Sequence, residues 1–152
     1  YSREETLHAN YSHAAWSQLK EMIESGLVEV QNHSYNMHGD GKKTKRKGSK
    51  KVNGESVEQY VEALREDVQK MQDAMAKNTG FTPTAFVYPF GAVSRESLPV
   101  LRQMGFQATL ICESRINTIT RNPSCLYGLG RYLRPPKTDS AAFFTKTMKL
   151  AE

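Results

Sequence analysis

Cysteine, tryptophan and histidine are scarce in this chain of 152 residues, which contains two, one and four of them, respectively. Cys112 and Cys125 have twelve residues between them, which is not the spacing of a zinc-binding pair. Neither cysteine has a histidine near it in sequence that would activate a thiolate nucleophile. The two residues therefore leave open a disulfide or two free thiols, and they argue against cysteine-based catalysis.

Long apolar runs are also missing. No run approaches the roughly 20 residues of a membrane-spanning helix, and no basic start is followed by the apolar segment of a signal peptide. If the protein is exported or anchored, its targeting segment is expected outside this chain. A composition of 38% hydrophobic and 24% charged residues is typical of a globular protein. We therefore predict a single domain over residues 1–152.

The net charge of +5 is concentrated in one stretch, "GDGKKTKRKGSKKVNG", and the rest of the chain is close to neutral. This Lys42 to Lys51 loop contains no interleaved aromatic residues and no helical spacing, so we predict no nucleic-acid partner. A solvated loop is the first interpretation. An anionic cell-wall polymer or membrane surface is the alternative partner.

Hydrophobic periodicity and turn residues predict alternating helices and strands. The expected order is a helix over 14–25, a strand over 27–30 ending near His33, a helix over 56–80, a strand over 84–88, a helix over 94–105, a strand over 106–112, a less regular stretch, and a last helix from about Asp139. The longest helix has an apolar stripe: Val57, Val61, Leu64, Val68, Met71 and Met75. This alternation predicts an α/β fold with parallel strands, in an open sheet or a barrel. Active sites of such sheets lie at the carboxyl ends of the strands.

Two histidines lie close together in "EVQNHSYNMHGD", at positions 33 and 38. Residues five apart face different directions on a helix and opposite faces on a strand, so only a turn directs both rings to one point. The spacing falls within the range seen between zinc-binding histidines. Two histidines alone do not complete a catalytic metal site, and the imidazoles could instead bond to the backbone, to Ser34 or to Asn36. Spacing alone leaves both interpretations open.

The phrase "VEVQNHSYNMH" resembles the second motif of the polysaccharide deacetylase family, also known as carbohydrate esterase family 4 or the NodB-homology domain. The resemblance implies that His33 and His38 supply two of three ligands to a divalent metal, for which we expect zinc. Four residues separate the histidines, which is similar to the branch that deacetylates poly-β-1,6-N-acetylglucosamine.

The phrase "FVYPFGA" resembles the third motif of the same family. Its match implies that the Phe90 backbone N–H forms part of an oxyanion hole and that Tyr88, Pro89 and Gly91 contact substrate. Val87 stands where many members have an arginine, which removes a side chain that would orient the catalytic carboxylate.

Two weaker matches extend the resemblance to roughly Ser12 to Pro136. "LGRYLRPP" is similar to the stretch after the late barrel strands and implies a substrate contact for Arg131. "HAAWSQLKEMIESG" resembles the helix before the second motif, and it makes His13 a candidate for the catalytic acid.

The family's Thr-Phe-Asp-Asp motif, which supplies the general base and the third metal ligand, is not found in this chain, and neither is its Leu-x-His motif. The resemblance therefore implies the C-terminal two thirds of a deacetylase catalytic domain, as a partial (β/α) barrel of the distorted seven-stranded type. We expect another segment or chain to supply the missing strands.

The implied function is metal-dependent N-deacetylation of an N-acetylglucosamine-containing cell-surface polysaccharide. We expect a bacterial protein that is extracellular or anchored at the cell surface. The alternatives are a catalytically inactive glycan-binding module with a degenerate site, and a binder of anionic polymers that uses the basic loop.

Overall fold

A computed structural model describes residues 13–43 and 45–150. Its helices and strands, in chain order, are α1 (Trp16–Glu24), α2 (Val57–Thr79), β1 (Ala85–Val87), α3 (Ser97–Gln103), β2 (Ala108–Leu110), β3 (Tyr127–Leu129) and α4 (Ser140–Ala142). Short 3-10 turns follow β1 at Pro89–Gly91 and precede β3 at Pro123–Leu126, and a π-helical turn, Phe143–Thr147, follows α4.

The three strands form one parallel sheet in the order β1-β2-β3. Ala85 pairs with Ala108 and Val87 with Leu110, while Leu110 pairs with Leu129 across the second interface. The α/β class with parallel strands is thereby confirmed. Among the described residues, no helix is both long and apolar enough to cross a membrane.

Helix α2 covers this sheet, and its ends are those that the sequence predicts. Ser56 caps the start by accepting the Gln59 N–H at 3.1 Å, and Gln59 returns a bond to the Ser56 N–H. Gly80 ends the helix in the left-handed conformation at φ 73°.

The buried face of α2 follows the predicted apolar stripe except at the first turn of the helix. Leu64 and Val68 are fully buried as expected, but Val57 is 43% exposed, and Tyr60 is fully buried in its place. These α2 residues pack with β1, α3 and the loop before β2 in one core cluster: Tyr60, Leu64, Val68, Phe86, Tyr88, Val100, Leu101 and Phe106.

The predicted strand over 27–30 is wrong. Leu27 is 89% exposed, and pairing with β1 is limited to one parallel bridge between Asn32 and Phe86. The Gln31 side chain explains why backbone pairing with β1 begins only at Asn32. Its Oε1 accepts the backbone N–H groups of Thr84 at 3.0 Å and Ala85 at 2.7 Å. A side-chain amide thus takes the place of a strand carbonyl at the start of β1.

Strand β3 lies in the stretch that the sequence left irregular. Gly128 interrupts its pattern with φ 83°, and its N–H bonds to the Thr109 side chain at 2.8 Å. The predicted last helix is short: the Asp139 carboxylate caps α4 by accepting the Ala142 N–H at 2.8 Å, and the chain then passes into the π-helical turn.

Candidate active site

The residues of interest lie at the carboxyl ends of neighbouring strands. His33 follows the bridge residue Asn32, Phe90 follows β1, Cys112 follows β2 and Arg131 follows β3. Because parallel strands end at the same edge of a sheet, all four positions share one rim.

Asn32 fixes the start of the histidine loop, residues 33–38. Its side chain is fully buried and donates to the Val68 carbonyl at 3.3 Å and to Gln72 Oε1 at 3.1 Å, both on α2. Its Oδ1 accepts the Ser34 N–H at 2.8 Å. This bond holds Ser34 at φ 73°, a left-handed conformation that turns the chain sharply after His33.

Asp67 holds the middle of the same loop. Its two carboxylate oxygens accept the N–H groups of Tyr35 at 2.9 Å and Asn36 at 2.7 Å. The Ser34 hydroxyl oxygen accepts the Met37 N–H at 3.1 Å and closes the turn. Hydrogen bonds to α2 and within the loop therefore form the turn that the sequence predicts between the two histidines.

This turn brings the two histidines into contact. The ring centroids of His33 and His38 are 5.0 Å apart, with the planes 63° from parallel. His38 also contacts Phe90, with a centroid distance of 4.5 Å. The rings of His33, His38 and Phe90 form a continuous cluster, which we call the rim cluster.

One nitrogen of His33 is already engaged. Its Nδ1 lies 2.6 Å from the Val87 carbonyl oxygen. A carbonyl oxygen only accepts, so Nδ1 carries the proton and Nε2 keeps its lone pair. A backbone carbonyl on the second nitrogen is the usual way in which a metal-binding histidine is oriented.

The surroundings of His33 favour its neutral form. Burial lowers the pKa of its imidazole below the ordinary 6.5, and the nearby His38 and Arg131 lower it further, while the hydrogen bond to Val87 acts in the opposite direction. A neutral imidazole is the form that binds a metal.

The two imidazoles fit a divalent metal by their chemistry and by their proximity, and nitrogen ligands of this kind are suited to zinc. Within residues 13–43 and 45–150, no group of three or more His, Cys, Asp or Glu side chains is arranged to hold a metal ion. His33 and His38 are thus two candidate ligands, and no third His, Cys, Asp or Glu among these residues is arranged to join them.

The turn after β1 has two consecutive residues in the left-handed region, Phe90 at φ 57° and Gly91 at φ 62°. A side chain on Gly91 would place its Cβ 2.7 Å from the Cys112 backbone nitrogen, so only glycine fits between β1 and β2 here. The two backbone hydrogen bonds of the turn are donated by Gly91 and Ala92, which leaves the Phe90 N–H outside them. Phe90 itself is 41% exposed at the rim.

Two residues expected to contact substrate are directed into the core instead. The Tyr88 side chain is 2% exposed, and its hydroxyl lies 2.7 Å from Ser97 Oγ. Burial raises the pKa of Tyr88, which agrees with a hydroxyl that is removed from water. Pro89 is also fully buried. For Tyr88 the reason is that the alternation of β1 continues one residue past the strand and directs Phe86 and Tyr88 to the same buried face.

Arg131 and His13 differ in their relation to the rim cluster. Arg131 is exposed and donates to the Ile111 carbonyl at 3.2 Å and to Cys112 Sγ at 3.1 Å, close enough to His33 to affect its pKa. His13 is exposed ahead of α1 and takes no part in the ring contacts among His33, His38 and Phe90. The catalytic role expected for His13 remains a prediction.

Sequence reasoning did not identify the two residues that shape the histidine loop, Asn32 and Asp67. In the sequence, Asn32 is marked only by its position before His33, and Asp67 lies far along the chain within a helix.

A cavity of about 620 Å³ opens beside His38, between the histidine loop and α2, and Arg46 and Glu66 contribute to its lining.

A protein-family model described as "Polysaccharide deacetylase" matches residues 4–109, more than half of the chain. The chain therefore belongs to the polysaccharide deacetylase family.

Two curated relatives are named poly-β-1,6-N-acetyl-D-glucosamine N-deacetylase. The protein of Staphylococcus aureus (strain MRSA252) is 27% identical over 119 residues, which is 78% of this chain and 38% of the relative. The Escherichia coli (strain K12) protein is 26% identical over 113 residues, which is 66% of this chain and 17% of the relative.

Two solved structures share the fold of this chain. The BpsB deacetylase domain from Bordetella bronchiseptica matches with a TM-score of 0.67 and 26% identity, over 78% of this chain and 48% of that one. IcaB from Ammonifex degensii matches with a TM-score of 0.67 and 25% identity, over 85% and 51%. The chain thus spans about half the length of these structures and less than two fifths of the curated relatives.

Proposed function

We propose that this chain forms the metal-binding and oxyanion-binding part of an N-deacetylase that acts on a poly-β-1,6-N-acetylglucosamine type of polysaccharide. The rim cluster carries the proposal, because two imidazoles in contact and a turn N–H lie at the carboxyl end of β1. The names of the curated relatives support the choice of polymer.

In this proposal His33 binds a divalent metal, with zinc as our expectation, through Nε2, and His38 is the second ligand. Such a metal, when bound, polarises an amide carbonyl and makes a bound water more acidic. The hydrogen bond from His33 Nδ1 to Val87 keeps the ring in place during the reaction. The Phe90 N–H donates to the acetyl oxygen as it gains negative charge, and Arg131 contacts glycan hydroxyls.

The remaining groups are assigned to the complete protein. Another segment or chain supplies the third ligand and the carboxylate base, and it completes a seven-stranded barrel of the deacetylase type. His13 protonates the leaving amine. Because the substrate is a cell-surface polymer, we place the enzyme outside the cell or anchored at its surface.

Zinc binding by this chain tests the proposal. The purified chain is dialysed against saturating zinc, and the metal bound in excess of the dialysate is measured by mass spectrometry. Two ligands bind zinc more weakly than the three of a complete site, so we expect close to one zinc per chain only at saturation, in the wild type and in the control H13A, which removes an exposed imidazole outside the rim cluster. We expect loss of the metal in H33A and in H38A.

The same samples distinguish the alternative of a catalytically inactive glycan-binding module. Wild-type protein that binds N-acetylglucosamine oligomers but retains no more zinc than H33A and H38A would contradict a metal-dependent deacetylase and support that alternative.

A further inference from the structure

The basic loop is a hairpin that begins directly after the second histidine. Asp40 and Lys47 form an antiparallel bridge, and the Gly48 N–H donates to the Gly39 carbonyl at 2.9 Å. Seven cationic side chains against one carboxylate give residues 40–51 a net charge of +6, which leaves −1 for the rest of the chain. We call residues 39–51 the basic hairpin.

The base of the basic hairpin is fixed against the Phe90 turn. Gly48 lies so close to the Pro89 carbonyl oxygen that a side chain there would collide with it. Ser49 Oγ donates to the Ala92 carbonyl at 3.2 Å, and the Lys51 N–H donates to Ser94 Oγ at 2.8 Å. The hairpin is therefore attached to the turn that carries the proposed oxyanion donor.

Further contacts fix the hairpin from α2 and from the segment before it. The Tyr60 hydroxyl donates to the Ser49 carbonyl at 2.9 Å. Arg46 forms a largely buried ion pair with Glu55 and also donates to the Lys50 carbonyl at 3.0 Å. These contacts leave five exposed lysines on the hairpin: Lys42, Lys43, Lys45, Lys47 and Lys50.

The product of deacetylation has a charge that its substrate lacks. An N-acetylglucosamine unit is neutral, whereas a deacetylated unit carries a primary amine that is protonated in mildly acidic solution. A fixed cluster of lysines repels such an ammonium group over roughly 8–10 Å at physiological salt, the Debye length. Lys47 directly precedes Gly48, which lies against the Pro89 carbonyl oxygen, so the Lys47 Cα lies about 4 Å from a residue in contact with the Phe90 turn.

We propose that the basic hairpin makes the site selective against glycan that is already deacetylated, by repelling glucosamine ammonium groups next to the unit bound at the rim cluster. The inference rests on the proposed function and deepens it: the preferred substrate is an uninterrupted stretch of acetylated units. A loop that served only to dock on an anionic surface would require exposed charge, but it would not require attachment to the Phe90 turn.

The test compares the affinity of the chain for two oligomers of equal length, one of N-acetylglucosamine and one of glucosamine, by NMR titration in mildly acidic buffer at low ionic strength. The variant K42Q/K43Q/K45Q/K47Q removes four of the five exposed hairpin lysines and keeps Lys50. The control K20Q/K77Q/K146Q/K149Q removes as many exposed lysines elsewhere.

We expect the wild type and the control to bind the glucosamine oligomer about five- to tenfold more weakly than the acetylated one at low salt, from summed screened repulsions. The hairpin variant should lose that preference and keep its affinity for the acetylated oligomer. Added salt should reduce the preference of the wild type in the same way, and this measurement requires no substitution.

Several results would overturn the inference. Equal binding of both oligomers by the wild type, or an unchanged preference in the hairpin variant, would remove the proposed repulsion while leaving the deacetylase proposal intact. Retention on anionic phospholipid vesicles that disappears in the hairpin variant, with no change in oligomer preference, would assign the hairpin to surface docking. Failure of the wild type to bind the acetylated oligomer would contradict both proposals.

Discussion

Replacing Asn32 by alanine tests whether the histidine loop is held as described. The substitution leaves the Ser34 N–H without its acceptor and Gln72 Oε1 without its Asn32 donor, whereas the Val68 carbonyl keeps its helical bond within α2. Asn32 and Val68 are fully buried, and Ser34 is 6% exposed. An unsatisfied buried group costs about 1–3 kcal/mol, and water entering the small space offsets part of the sum. We therefore expect the free energy of unfolding to fall by about 2–4 kcal/mol.

Urea denaturation followed by circular dichroism measures this change. With a slope of about 2 kcal/mol per molar urea, the midpoint should fall by about 1–2 M. N36A is the matched control, because Asn36 is exposed on the same loop and bonds to Asp67 through its backbone N–H, which alanine keeps. We expect its free energy of unfolding to change by less than about 0.5 kcal/mol. A comparable small change for N32A would refute the role assigned to the Asn32 side chain.

Three further predictions follow from the contacts of the site and the core. Asp67→Ala removes the acceptor of two loop N–H groups and should weaken zinc binding in a calorimetric titration; unchanged affinity would show that the loop is ordered without it. Gly91→Ala should lower the free energy of unfolding by about 1–3 kcal/mol, because a Cβ at φ 62° meets the Cys112 backbone; thermal melting measures it, and a change near zero would mean that β1 and β2 separate readily. Burial raises the pKa of Tyr60 to about 12, whereas an exposed tyrosine titrates near 10. The unfolded chain therefore loses this proton first, and the free energy of unfolding should fall as pH rises from about 10 to 12. Tyr60→Phe should flatten that fall in urea denaturation at several pH values, and an equally steep fall would contradict the assignment.

Sequence patterns predicted the elements that depend on local signals. Helix α2 is bounded by the expected Ser56 cap and Gly80 ending, and the strand after Pro83 was found because its apolar run is short and ends at Pro89. Strand β3 was missed because a glycine with positive φ breaks its pattern, and its pairing depends on Thr109 from another strand.

The sequence predicted that the two histidines lie together, but it did not identify the residues that position them. The sequence pattern in "NHSYNMH" gave the pair, but the contacts that bring the rings together come from Asp67 on α2 and from the Val87 carbonyl on β1. Such partners are far apart in sequence, and no local pattern identifies them. The same limitation explains Tyr88, because motif similarity does not report that strand alternation directs its side chain into the core.

The most direct test of the central claim is the protonation and ligation of the histidine rings. Long-range ¹H–¹⁵N NMR of the ¹⁵N-histidine chain, recorded during a zinc titration, distinguishes Nδ1 from Nε2 in each ring. We expect His33 to carry its proton on Nδ1 before and after saturation, Nε2 of His33 and one nitrogen of His38 to shift together, and His13 not to change. Zinc ligation through Nδ1 of His33, or no response from His33 and His38 at saturating zinc, would contradict this assignment of the ligands.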